Sequence, residues 1–145
     1  MTIQECYAQM GADYNEVFRR LYNEAMIRKF VLLFPKDDSF HNLEAALKEQ
    51  NVKEAFRAAH TLKGVCQNLG FSNLYAPAVT LTETLRAGQL DGTAEQFAEV
   101  EKQYRITMAA IQALDRTERN TTPHPLPFWK GAAGYLHYCS FFRFS

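Results

Sequence analysis

The stretch Ala58-Ala59-His60-Thr61-Leu62-Lys63-Gly64, continued by Gln67-Asn68-Leu69-Gly70, decides how this chain is read. His60, Lys63, Gly64 and Gln67 stand at positions 0, 3, 4 and 7 of a series that stacks side chains on one face of an α-helix. Phe56, Ala59, Leu62, Cys66 and Leu69 make a second, apolar series offset from the first. That pattern predicts a hydrophobic stripe turned into a core and a His60 face turned to solvent. An exposed imidazole, with a cation one turn away and a residue lacking a side chain beside it, reads as a docking surface and not as packing.

In these residues the chain resembles the histidine-containing phosphotransfer domains. Their signature runs roughly Ala-His-x-Leu-Lys-Gly, with a further glycine ten residues after the histidine. Ala59, His60, Leu62, Lys63, Gly64 and Gly70 match it, and the resemblance extends as a helical pattern over about residues 20 to 115. It implies that His60 carries a phosphoryl group. The partners it implies are the receiver domains of response regulators or hybrid sensor kinases, whose aspartates donate or accept that group.

The residue types make chemical sense without the family. Imidazoles titrate near neutral pH and offer a nucleophilic nitrogen at cellular pH. Lys63 is a mobile point charge suited to phosphoryl oxygens that must be held briefly and released. Gly64 lets a partner's backbone or a phosphoryl group come close, although glycine inside a helix costs about 1 kcal/mol relative to alanine. A local cost without a packing gain marks a functional position. Gln67 extends the same face.

Helix signals run along most of the chain. Asn23 is expected to cap a helix through Met26, Phe30 and Leu33 that stops before Pro35. Ser39 is expected to cap the next, with Leu43, Ala46 and Leu47 as its apolar face. Asn51-Val52-Lys53-Glu54 has the form of a capping box and opens the His60 helix, which should run to about Leu69 with Gly70 as its left-handed stop. Ser72 should start a helix with Leu74, Ala78, Leu81 and Leu85 inward and Gly88 at its end. Pro77 falls inside that pattern, so a kink or a late start is expected. Thr93-Ala94-Glu95-Gln96 reads as another capping box, opening a long helix through Phe97, Val100, Tyr104, Met108, Ile111 and Leu114. The expected fold is all-α, an antiparallel up-and-down four-helix bundle with short extra N-terminal helices packed against one end.

Thr82 and Arg86 lie one turn apart on the helix after the His60 helix, off its Leu74, Leu81 and Leu85 stripe. His60 is ten residues before Gly70 and Thr82 twelve after it, so an antiparallel hairpin makes them neighbours. Similar phosphotransfer domains often carry a polar residue here that bonds the histidine and a basic residue a turn later. The resemblance therefore implies an orienting role for Thr82 and an electrostatic one for Arg86.

Composition narrows the function classes. The chain has 145 residues, zero formal net charge and no dense basic run in its body, so nucleic acid is not an expected partner. No stretch approaches the roughly 18 to 20 apolar residues of a membrane span, and Met1-Thr2-Ile3-Gln4-Glu5 lacks the regions of a secretion signal. A cytoplasmic location is the expectation. Cys6, Cys66 and Cys139 are too scattered for a disulfide framework or a zinc site, and His41, His124 and His137 are equally unclustered, so no metal is expected. Cys66 reads as a small apolar core residue. A glycine-rich phosphate loop is absent, so no ATP chemistry and no cofactor of the domain's own are expected; any magnesium would belong to the partner's acidic pocket.

Residues 1–116 are expected to form the domain. From Thr117 the chain runs into Pro123, Pro125 and Pro127, which predict an extended linker. Seven aromatics follow, Phe128, Trp129, Tyr135, Tyr138, Phe141, Phe142 and Phe144, so 117–145 reads as a poorly ordered extension. Two other functions compete with phosphoryl transfer. One is a binding or adaptor module of the same fold that no longer transfers phosphate. The other is a hydrolase or metal enzyme, which would need converging carboxylates or ligands that the sequence does not advertise.

Overall fold

A computed structural model describes residues 1–121, which form seven α-helices and one short 3-10 turn, with no strand among them. The helices are α1 (Ile3–Met10), α2 (Tyr14–Leu21), α3 (Glu24–Leu33), α4 (Ser39–Lys48), α5 (Val52–Leu69), α6 (Ser72–Arg86) and α7 (Thr93–Thr121). Consecutive members of the α4–α7 set pack along one another through short connections, as in an antiparallel bundle. The set closes between its first and last members, where the Phe40 ring of α4 stacks on Tyr104 of α7 with centroids 3.9 Å apart. Phe34 and Phe71 meet edge to face at 5.2 Å beside them.

Local chemistry sets the ends of α5. The Asn51 side chain accepts the Glu54 N–H at 3.2 Å, so Asn51 caps the amino end as expected. At the other end Gly70 adopts φ +69°. The Gly70 N–H donates to Gln67 O and the Phe71 N–H to Cys66 O, at 3.3 and 2.9 Å, a Schellman closure. An added Cβ at Gly70 would come within 2.9 Å of the Asp13 carbonyl, so glycine is required both by the left-handed backbone and by the close approach of the α1–α2 connection. Asn23 likewise caps α3 through the Met26 N–H at 3.1 Å, and α3 gives way at Phe34 to the 3-10 turn that holds Pro35.

Three expected starts and ends differ. Ser39 is the first residue of α4 and does not cap it; the Asp37 carboxylate accepts its N–H at 3.1 Å. Ser72 does open α6 as expected, as its first helical residue, with Phe71 before it and no side-chain cap. The helix begins there in spite of Pro77, so the late start does not occur. Thr93 is no capping-box residue either, because its hydroxyl turns back to the Leu90 carbonyl at 2.6 Å. Finally, α7 continues past Arg116 to Thr121, where the sequence suggested a linker from Thr117. Glu118 accepts from Arg28 of α3 at 2.8 Å, so these last turns still belong to the bundle. The proline and aromatic segment from Thr122 onward, with Cys139, His124 and His137, lies outside the described residues.

The N-terminal helices cover the side and end of the bundle. Cys6 of α1 donates its thiol to the Ala110 carbonyl of α7 at 3.5 Å, and Tyr7 donates to the Leu69 carbonyl at 2.5 Å. Arg20 of α2 donates to the Gln67 carbonyl at 2.6 Å. The Leu69 carbonyl at the carboxyl end of α5 is thus met by a side chain from the N-terminal segment, and the Gln67 carbonyl gains a second donor from it.

Candidate functional site

The inward stripe of α5 is Ala55, Ala58, Ala59, Leu62, Val65, Cys66 and Leu69, all buried. Three alanines in its first half let α5 lie close to its neighbours, and the remaining positions turn outward. On that outward face His60 and Gln67 are exposed and Lys63 and Gly64 are half-buried. One helix therefore presents all four on a shared surface. No hydrogen bond to the His60 imidazole and no ion pair to Lys63 occurs among the described residues.

The imidazole does have a neighbour. The ring of Phe56, one turn before it, lies 5.8 Å away centroid to centroid with the planes inclined by 24°. Phe56 was expected in the apolar stripe; it is only half-buried, packed on the edge of the core with a face left for His60. Arg86, from the last turn of α6, places its guanidinium carbon 5.1 Å from the centroid of the same ring. Phe56 is thus a shared neighbour of His60 and Arg86 across two helices. Periodicity assigned it to the core because it registers only that the residue is apolar. The signal that points to Phe56 in the sequence is its i, i+4 relation to His60.

Arg86 is exposed and also pairs with Glu83 at 3.3 Å, a contact that fixes the guanidinium only weakly. Arg57, three residues before His60, is held in the same way by Glu54 at 3.3 Å. Thr82 sits differently from the expectation. It is fully buried, and its hydroxyl donates to the Ala78 carbonyl at 2.6 Å, with no bond to His60. A short hydroxyl on an α-helix finds its own preceding turn more readily than a side chain on the next helix. The structure therefore brings His60, Lys63, Gly64 and Gln67 onto one face and Arg86 to its edge, and sets Thr82 into the core.

Buried nucleophiles elsewhere are chemically quiet. Burial pushes the Cys66 thiol well above the ordinary range and the Cys6 thiol up to about 11, so neither is a reactive thiolate. No group of three or more His, Cys, Asp or Glu side chains suited to a metal ion occurs among the described residues. No helix among them is long and apolar enough to cross a membrane.

A family model, the Hpt domain, matches residues 37–117, more than half of the chain. The chain belongs to the Hpt domain family. The match spans α4 through most of α7, so the Hpt region contains the whole His60 helix and Arg86, while α1 to α3 precede it. Hpt domains are helical bundles that serve histidine phosphotransfer in phosphorelays and interact with receiver domains. The chain has no match among curated proteins or among solved structures.

Proposed function

We propose that this Hpt domain is a relay intermediate that takes a phosphoryl group onto His60 from one receiver-domain aspartate and passes it to another. The observation that carries this reading is the exposed, hydrogen-bond-free imidazole on a helix face shared with Lys63, Gly64 and Gln67. In the forward step the unprotonated ring nitrogen attacks phosphorus. The N–P bond forms as the P–O bond of the aspartyl phosphate breaks, the aspartate leaves as a carboxylate, and the imidazole's remaining N–H proton can pass to water. The reverse sequence loads the next receiver.

Such a transfer runs through a loose, in-line transition state in which positioning and charge do most of the work. Lys63 supplies a cation one turn from the nitrogen. Gly64 removes the side chain that would otherwise stand between the two proteins. Gln67 extends the contact face, and Arg86 brings a second cation to its edge. Thr82 takes no direct part here, because its hydroxyl is committed to Ala78. The carboxylate cluster that such chemistry uses to hold magnesium belongs to the receiver.

The test is incubation with a receiver domain carrying a labelled aspartyl phosphate. Label that moves to this chain and is acid-labile but stable to alkali supports a phosphohistidine. A chain that binds the receiver without becoming labelled is an adaptor of the same fold, and the relay reading is then wrong.

A further inference from the structure

We propose that Phe56 is a positioning residue for phosphoryl transfer at His60, its ring face setting the plane of the imidazole while Arg86 holds that ring from α6. The proposal rests on the phosphoacceptor reading of His60.

The torsion that turns an imidazole about its Cβ–Cγ bond is soft and broad, so an exposed histidine with no hydrogen bond samples many ring orientations. The attacking lone pair lies in the ring plane. Whatever fixes that plane fixes the line of attack, and an in-line transfer is sensitive to that line. Among the described residues His60 has no hydrogen bond to do this, and Phe56 offers the flat surface instead, 5.8 Å away and within 24° of parallel. Offset aromatic pairs at such separations attract one another.

Phe56 can act as a platform because it is itself held. Part of it packs on the core, and the Arg86 guanidinium stands 5.1 Å from its centroid, within the range where a cation is drawn to a ring face. The exposed pair of Arg86 with Glu83 at 3.3 Å adds only weakly to this. An aliphatic residue at position 56 would cover the core edge as well, but it has no plane to present. Arg86 thereby acts on His60 through Phe56, in addition to any charge it lends to the phosphoryl oxygens.

The test uses the full chain and phosphoramidate, a small P–N phosphodonor that releases ammonia, so that receiver docking does not enter. Phe56→Leu is expected to remain helical by circular dichroism and to lower the maximal labelling rate of His60 by about tenfold or more, the order seen when a reacting group is slightly misplaced. The donor concentration for half-maximal rate should stay the same, and Phe56→Tyr should restore the rate. The His60 ring protons should shift downfield in Phe56→Leu as the ring current of Phe56 is lost, and Phe56→Tyr should keep them in place. Arg86→Gln should slow labelling more in the native background than on top of Phe56→Leu, because the part of its effect that passes through the ring is already lost there.

Equal rates in native chain, Phe56→Leu and Phe56→Tyr would overturn the positioning role while leaving the phosphoacceptor reading intact. Full additivity of Arg86→Gln and Phe56→Leu would overturn the action of Arg86 through the ring. Absence of label on native His60 from both phosphoramidate and a phosphorylated receiver would overturn the phosphoacceptor reading itself, and the proposal with it.

Discussion

The Tyr7 hydroxyl donates to the Leu69 carbonyl at 2.5 Å, tying the first helix of the chain to the last turn of the helix that carries His60. Arg20 does the same for the Gln67 carbonyl. The Hpt match begins only at Asp37, so the segment before it completes the carboxyl end of α5 with donors that the bundle does not provide. Tyr7→Phe keeps the ring, which packs against Tyr14 and Phe71, and removes only the bond. The expected loss is about 1 to 3 kcal/mol in a denaturant titration, the cost of leaving a buried acceptor unmet. A change indistinguishable from zero would mean that the Leu69 carbonyl finds water.

Stability should decline in alkali. Burial raises the Cys6 thiol from 9.0 to about 11, against a weaker lowering by the Arg28 guanidinium. It also raises Cys66 and the Tyr7 phenol. Above about pH 9 the unfolded chain therefore sheds protons that the native state keeps. The native advantage is complete below that pH and is lost as pH rises toward 11. Melting temperatures taken from pH 7 to 11 should be level at first and then fall, and Cys6→Ala should fall less across the upper interval even though its starting value is lower. A level profile to pH 11 would refute the assignment.

The end of α7 can be tested by two truncations. A chain ending at Arg116 lacks Glu118 and its 2.8 Å pair with Arg28; a chain ending at Thr121 keeps both. The pair is partly shielded, so the difference in stability should be about 1 kcal/mol in favour of the longer chain, including the lost helical turn. Identical melting would show that residues 117–121 contribute nothing to the bundle.

Much of this fold is legible from short-range chemistry. Asn23, Asn51 and Gly70 act within four residues of themselves, so a sequence reading finds them. Thr93 and Ser39 look like caps for the same reason, yet the Thr93 hydroxyl turns to Leu90 and Asp37 bonds the Ser39 N–H. Composition cannot tell which nearby acceptor a short side chain chooses. The face of His60, Lys63, Gly64 and Gln67 is legible because all four lie on one helix. Phe56 and Thr82 are misplaced because periodicity reports only which side of a helix a residue is on: Phe56 sits at the edge of the core, and Thr82, polar in type, is fully buried with its hydroxyl met by its own preceding turn. The contacts Tyr7 to Leu69 and Arg20 to Gln67 span 62 and 47 residues and leave no local trace at all.

Gly64 separates what the helix prefers from what docking requires. It lies inside α5, so Gly64→Ala should stabilise the domain by up to about 1 kcal/mol. Gly64→Gln should leave the fold intact and slow transfer from a receiver, since its side chain would stand on the contact face. Transfer at the native rate in the Gln variant would show that the receiver approaches elsewhere.

The most direct measurement of the central claim is phosphoryl labelling of His60→Gln beside the native chain, with a phosphorylated receiver as donor. An exposed polar exchange costs within about 0.5 kcal/mol, so the variant should keep its helical circular dichroism and its melting temperature while accepting no acid-labile phosphate. A folded variant that still becomes labelled would contradict the account and move the phosphoacceptor away from His60.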